Sequence, residues 1–239
     1  MKYLILSTDT NHHRYFINRF CLEISDELVV ILDKKKFKYK YPENKIFTSK
    51  QDKFEKKYFF KDINYNWEFP KKIRKIYDIN SDESLNIFKR YNPNLVIVFG
   101  TVKLNINIIK RFDNKIINIH RGNIYKYRGL DSDLWSLYHN DFESIAVTIH
   151  MVENRLDSGD VLMIEKLNLN KNVTIFSLRY HTTLIAFNLV KKIIKRIEIK
   201  KINLMSMRLK QNKLGRYYSQ MPSIMYKECE TKLKKFIFR

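Results

Sequence analysis

The chain has 239 residues, enough for one α/β domain with a packed core and a short extra element, and too few for two full domains. Apolar residues make up 44% and charged residues 30%, which excludes a disordered chain, and the net charge of +21 favours a polyanionic partner: nucleic acid, an anionic membrane or a phosphorylated metabolite. Two cysteines make no disulfide scaffold or metal-ligand spacing, no stretch approaches the ~18 apolar residues of a membrane span, and Met1–Thr10 lacks a signal-peptide pattern, so a soluble, cytoplasmic, metal-free protein is expected.

Tyr3–Ser7 and Leu28–Leu32 are short apolar runs of the length of strands buried on both faces. Between them Asn11–Ile24 places Phe16, Phe20 and Ile24 at helical spacing. Asp33–Lys72 carries many Lys, Tyr and Phe residues without Gly; it reads as a long solvated connection whose aromatics pack on the domain, with a stacking platform for nucleic acid as the alternative. Alternation returns with a strand at Asn94–Gly100, a helix near Leu104–Phe112, a strand at Lys115–His120 and a helix near Ser132–Asn140. Ser144–Val152 and Val161–Leu169 read as further strands, separated by the turn-rich Glu153–Asp160. Thr174 is the expected N-cap of a helix over Ile175–Ile199. A hairpin over Met207–Ser219, turning at Asn212–Gly215, and a basic amphipathic helix over Ser223–Phe236 complete the pattern. The alternation predicts an α/β, Rossmann-like, mostly parallel sheet flanked by helices over residues 1–200, with a C-terminal hairpin and helix extension over 201–239. No P-loop or dinucleotide glycine fingerprint is present, so ATP and NAD chemistry lose support.

Asn118 and His120 lie two apart on a strand, so their side chains project from one face at the carboxyl end of the sheet, where open α/β sheets bind ligands. Asp157 arrives in the loop between two later strands, and an amide, an imidazole and a carboxylate can meet there. A carboxylate near His120 is expected to raise the imidazole pKa and hold its orientation. His139, His150 and His181 read as structural. At the first β-α turn Asn11, His12, His13 and Arg14 open a helix whose unpaired backbone N–H groups attract an anion, with Arg14 adding charge. The alternative is an Asn11 that merely caps the helix beside a solvated histidine pair.

Four motifs in one stretch carry a resemblance: Asn-x-His at Asn118 and His120, Tyr-Arg-Gly at Tyr127–Gly129, Val-Thr-Ile-His at Val147–His150, and Leu-Asp-x-Gly-Asp at Leu156–Asp160. The stretch resembles the formyltransferase family that includes the methionyl-tRNA, glycinamide ribonucleotide and sugar N-formyltransferases. The resemblance implies Asn118, His120 and Asp157 as catalytic residues, 10-formyltetrahydrofolate as cosubstrate without a metal, and Leu156, Gly159 and Asp160 as residues that bind it. An amine then attacks the formyl carbon. The Asn118 amide and a protonated His120 serve the oxyanion, while His120, Asp157 or a water held by Asp157 accepts the amine proton.

His120–Asp131, read as His-x-Gly-x-x-x-x-Tyr-Arg-Gly-Leu-Asp, the opening Ser7–Phe16 and the late Gly215–Pro222 look like the sugar-nucleotide N-formyltransferases of bacterial O-antigen pathways. That likeness implies a nucleotide-sugar site at Asn11, His12, His13, Arg14, Tyr127, Arg128 and Asp131, with dTDP-4-amino-4,6-dideoxyglucose as the first substrate choice and a 3-amino isomer or a GDP-linked sugar as alternatives. Methionyl-tRNA formyltransferases carry a C-terminal RNA-binding barrel of about a hundred residues, which the 40 residues after Ile199 cannot build, and their Ser-Leu-Leu-Pro is replaced here by Arg121–Tyr125. A methionyl-tRNA formyltransferase-like enzyme and a basic nucleic-acid-binding module stay as alternatives; the leading reading expects neither nucleic acid nor membrane as partner. Leu204, Met205, Leu209, Leu214, Tyr217, Tyr218, Met221, Ile224 and Met225 give the extension an apolar patch, so a homodimer through it is expected.

Overall fold

The computed structural model describes residues 1–25, 27–35, 40–61, 73–211 and 214–239. The first half alternates Tyr3–Ser7 (β1), Asn11–Glu23 (α1), Leu28–Asp33 (β2), Lys45–Phe59 (α2), Ile73–Ile76 (β3), Asp82–Tyr91 (α3), Leu95–Phe99 (β4), Ile106–Arg111 (α4) and Ile116–His120 (β5). There follow Tyr127–Gly129 (β6), Ser132–Tyr138 (α5), Ala146–Met151 (β7), Val161–Lys166 (β8), Leu178–Lys200 (α6), Leu204–Met207 (α7), Arg216–Tyr218 (β9) and Tyr226–Ile237 (α8).

A seven-stranded sheet runs in the order β3-β2-β1-β4-β5-β7-β8, parallel from β3 through β5 and antiparallel where β7 joins β5 and β8 joins β7. Helices cover both faces, so alternate residues of one strand enter opposite cores. Tyr3 and Ile5 pack with Phe16, Phe20, Phe187 and Val190 of α1 and α6. Leu4 and Leu6 pack instead with Phe88, Ile108 and Phe112. Two-sided burial is why these runs are continuously apolar, and each such side chain contributes ~1.5–3 kcal/mol by leaving water. The chain leaves β1 toward β2 on one side and reaches β4 on the other, so a crevice opens at the carboxyl ends of β1 and β4.

Several elements differ from the sequence reading. The expected connection over Asp33–Lys72 contains α2, capped by Asn44, whose side chain accepts from the Phe47 N–H; residues 36–39 and 62–72 lie outside the described residues. The aromatics of α2 do pack on the domain, with Phe59 stacked on Tyr15 and in contact with Tyr180. β3 and α3 were not foreseen. Thr174 caps the Ser177 N–H of a preceding turn, and α6 starts at Leu178.

The expected hairpin over Met207–Ser219 does not form between its own arms among the described residues: Leu209 bridges Val161, and β9 pairs in parallel with β6. Residues 212 and 213 of its turn lie outside the described residues. α8 packs on α5, and Met221, Cys229 and Leu233 join Leu134 and Leu137 in a third core, while Leu204 joins the α1/α6 core. Much of the apolar patch invoked for a dimer is thus covered by the chain's own domain; Leu209, Tyr217 and Ile224 stay exposed. Among the described residues no helix is long and apolar enough to cross a membrane.

Candidate active site

The antiparallel pairing of β5 with β7 places Asn118 opposite His150 and His120 opposite Thr148. Asn118 Nδ2 lies 3.0 Å from His150 Nε2. His150 Nδ1 donates to the Met151 carbonyl at 2.7 Å, which leaves Nε2 as an acceptor for the Asn118 amide. His120 Nε2 donates to the Tyr127 carbonyl at 2.8 Å, and its Nδ1 faces Asp157 Oδ2 at 3.6 Å. The other oxygen, Oδ1, lies 3.6 Å from His150 Nε2. One carboxylate therefore sits between two imidazoles.

Burial lowers the His120 pKa; the Asp157 charge acts the other way and is outweighed, with His150 and Arg121 adding to the lowering. The raised pKa expected from sequence is overturned, because a ring shut away from water loses the hydration of its cationic form. Burial would raise the Asp157 carboxyl, but His120, His150 and the Gly129 N–H, which donates to Oδ2 at 2.8 Å, hold it well below the usual carboxylate range. The resting site pairs a neutral His120 with an ionised Asp157. The protonated His120 of the sequence reading is not the form that this burial favours.

Asp157 has a left-handed backbone, φ +49°, at a cost of order 1–3 kcal/mol for a residue with a side chain. Its loop is held from several directions. The Leu156 carbonyl accepts from Arg128 Nη2 at 2.6 Å, and the Met151 N–H donates to the Asp160 carbonyl at 2.9 Å. At Gly159 a Cβ would stand 1.9 Å from the Met151 carbonyl oxygen, so only glycine fits that approach. The assignment of the loop to ligand binding is therefore divided: Leu156 lines the cavity above the site, whereas Gly159 packs on β7 and Asp160 accepts from the Gln211 N–H at 3.0 Å, with Arg208 3.6 Å away.

The cavity measures about 870 Å³ and has Asn118, His120, His150 and Asp157 in its wall. Val98, Phe99, Val102 and Leu104 give it an apolar side; Lys34, Lys35, Lys75 and Lys103 line it from the β2, β3 and β4 ends, and Arg121 and Arg179 also reach it. Of the expected substrate residues, His12, His13 and Asp131 line this cavity. The histidine pair is buried, not solvated, with ring centroids 3.8 Å apart. His13 Nδ1 lies 2.9 Å from the hydroxyls of both Thr8 and Thr10, and His12 Nδ1 lies 3.0 Å from that of Thr10. Burial pushes both rings well below the ordinary imidazole value, and Arg179 and Arg121 push the same way.

Thr10, not Asn11, is the N-cap residue of α1, and its hydroxyl caps no backbone N–H. Asn11 and Arg14 turn to acidic neighbours, Asn11 to Asp52 at 3.5 Å and Arg14 to Asp9 at 2.6 Å. Tyr127 and Arg128 support the site from behind. Asp131 accepts from the Met221 N–H at 2.9 Å, and burial raises its pKa.

The sequence reading took His150 as structural and gave Arg121 and Arg179 no role in the site; all three line the cavity. The His150 signal was present, since Val147–His150 had been matched and the antiparallel partner of Asn118 shares its face of the sheet. Arg179 has no local signal: its guanidinium is held by both oxygens of the buried Glu55, at 2.5 and 2.8 Å, across more than a hundred residues of chain.

The geometry agrees with what the chain is similar to. A methionyl-tRNA formyltransferase of Finegoldia magna is 34% identical over 118 residues, 49% of this chain and 38% of that protein, so the match spans about two fifths of that relative's length. A 4-N formyltransferase from Francisella tularensis is similar in structure, with TM-score 0.59 and 18% identity over 91% of this chain and 76% of that one. The formyltransferase PseJ from Anoxybacillus kamchatkensis, in complex with UDP-4,6-dideoxy-4-formamido-L-AltNAc and tetrahydrofolate, has TM-score 0.56 and 19% identity over 99% of this chain and 98% of that one. The profile of the formyl transferase family matches residues 29–184, which take in β2 through the start of α6 and with them Asn118, His120, His150 and Asp157: the chain belongs to the formyl transferase family.

Proposed function

We propose that this protein transfers the formyl group of 10-formyltetrahydrofolate to the amine of a nucleotide-linked amino-dideoxy sugar used for a surface glycan such as O-antigen. The observation that carries the proposal is the structural likeness to PseJ, which covers 99% of this chain and 98% of that one. A 4-amino-4,6-dideoxy sugar is the favoured acceptor, dTDP-linked in the sequence reading; the PseJ complex holds a UDP-linked 4-formamido sugar.

The cavity fits both partners in kind. At about 870 Å³ it is in the range of small-molecule sites, ~300–1,000 Å³. Val98, Phe99 and Leu104 suit a flat heterocycle, and the lysines at the β2 and β3 ends suit carboxylates. When bound, 10-formyltetrahydrofolate supplies the formyl carbon. Asn118 supplies an amide donor for the oxygen that gains charge. His120 Nδ1 faces Asp157 Oδ2 at 3.6 Å; a proton that His120 takes from the amine rests beside that anion and is then given to N10 as the N10–formyl bond breaks and tetrahydrofolate leaves. The α1 N-terminus, with Thr10 not spent as a cap, suits phosphate.

The Finegoldia match, higher in identity than the structural ones, supports a second reading in which the acceptor is methionyl-tRNA. The test is incubation with 10-formyltetrahydrofolate and a panel of dTDP-, UDP- and GDP-linked 3- and 4-amino sugars, with methionyl-tRNA as a further arm. Mass spectrometry is expected to show a 4-amino sugar nucleotide heavier by one CO; formylation of methionyl-tRNA alone would overturn the sugar reading.

A further inference from the structure

We infer that Arg128 is a positioning residue for Asp157, and that β9 of the C-terminal segment is part of the device that keeps the catalytic cluster in register. The inference rests on the formyl-transfer reading of the site and not on the identity of the amine.

Three consecutive residues of β6 each hold a different part of the cluster. The Tyr127 carbonyl takes the His120 Nε2 proton at 2.8 Å, Arg128 Nη2 donates to the Leu156 carbonyl at 2.6 Å, and the Gly129 N–H donates to Asp157 Oδ2 at 2.8 Å. β6 is only three residues long and stands outside the main sheet, so it cannot fix itself. Its strand partner among the described residues is β9, with Tyr127 paired to Arg216, Arg128 to Tyr217 and Gly129 to Tyr218. At Gly129, φ +90°, a Cβ would lie 2.1 Å from the Tyr218 carbonyl oxygen, an approach that only glycine permits. β9 begins at Arg216, beyond the stretch 29–184 that the family profile matches, so this support comes from outside the matched region.

Arg128 ties the three pieces together. Its Nη1 donates to the Gly215 carbonyl at 3.3 Å, just ahead of β9, while Nη2 holds the carbonyl that immediately precedes Asp157. The residue is 2% exposed and Nε has no hydrogen-bond partner; burial and the charge of Arg155 disfavour its cation, and the charge of Asp157 acts the other way. A buried cation with two carbonyl acceptors is costly for stability alone. Its placement is explained by what it restrains: Asp157 is in a left-handed conformation that it does not favour, and releasing Leu156 would let the carboxylate swing away from His120 and His150.

The test uses full-length Arg128→Met and Arg128→Lys, with the amine that the wild type formylates and with 15N-histidine spectra that need no substrate. Arg128→Met is expected to lower kcat on the order of 100-fold, as a displacement of about an ångström does, with both KM values within about threefold. The His120 Nδ1 resonance is expected to shift as the Asp157 charge moves away from it, while the Nε2–H bond to the Tyr127 carbonyl is kept. Arg128→Lys, which keeps the charge and one reach of the fork, is expected to recover about tenfold of the loss. Wild-type kcat in folded Arg128→Met, an unaltered His120 spectrum, or a loss that lysine leaves unrelieved would overturn the inference. Should the methionine variant not fold, wild-type kcat and an unaltered His120 spectrum in Arg128→Lys would overturn it equally.

Discussion

Two pairs of buried histidines line the same cavity and are built to different ends. His120 and His150 flank Asp157, each 3.6 Å from one of its oxygens. His12 and His13 lie against each other, with the hydroxyls of Thr8 and Thr10 at 2.9–3.0 Å. Burial disfavours charge on His120 and on both members of the second pair alike. The partner makes the difference. A proton taken by His120 is met by an anion 3.6 Å away, whereas one taken by His13 would face a second ring and the positive field of Arg179 and Arg121, which outweighs the opposing charge of Asp9. Burial keeps an imidazole neutral; a fixed carboxylate makes it a proton acceptor with somewhere to put the charge.

The most damaging change to that contrast is Asp157→Asn, which keeps shape and removes charge. We expect kcat to fall by on the order of 1,000-fold with KM little changed, measured by steady-state formyl transfer. Turnover near wild type in a folded Asp157→Asn protein would erase the distinction between the pairs. Asn118→Ala sharpens the other side of the site: kcat should fall about 100-fold while sugar-nucleotide affinity, read by calorimetry, is preserved. A large affinity loss with kcat intact would make Asn118 a binding residue.

The smallest effect concerns stability. His12, His13, His120 and His181 all have lowered pKa values in the fold, from burial first. The unfolded chain binds their protons below a pH of about 6.5, where the fold still resists them, so their contribution is present above that pH and is lost as pH falls through and below it. Asp157, also depressed, keeps its contribution until pH falls below the ordinary carboxylate range. Tm is expected to drop by roughly 5 °C between pH 7.5 and 5.5. A flat Tm over that interval would show that the buried rings take up protons in the fold as readily as in the unfolded chain.

Much of this was legible in the chain itself, for physical reasons. Apolar runs such as Leu95–Phe99 announced two-sided strands; strand period and loop position let Asn118, His120 and Asp157 meet at one edge, while their catalytic role was read from the family resemblance. α3 carried its signals openly, with Ser81 capping it, Asp82 and Glu83 in the first turn and Lys89 and Arg90 in the last, yet the sequence reading passed over it. Other features have no local sign. The β6–β9 pairing joins residues about ninety apart through a parallel ladder, and the Arg179–Glu55 pair crosses a longer span still. The pKa direction at His120 depended on how completely the ring is enclosed, which spacing does not encode.

The most direct measurement sets the two pairs side by side: kcat and KM of folded His120→Asn and His13→Asn on the same substrates. The account expects His120→Asn to lose on the order of 100-fold or more in kcat, and His13→Asn to keep kcat within about threefold while KM for the amine rises. Equal kcat losses in the two variants, or a larger loss at His13, would contradict it.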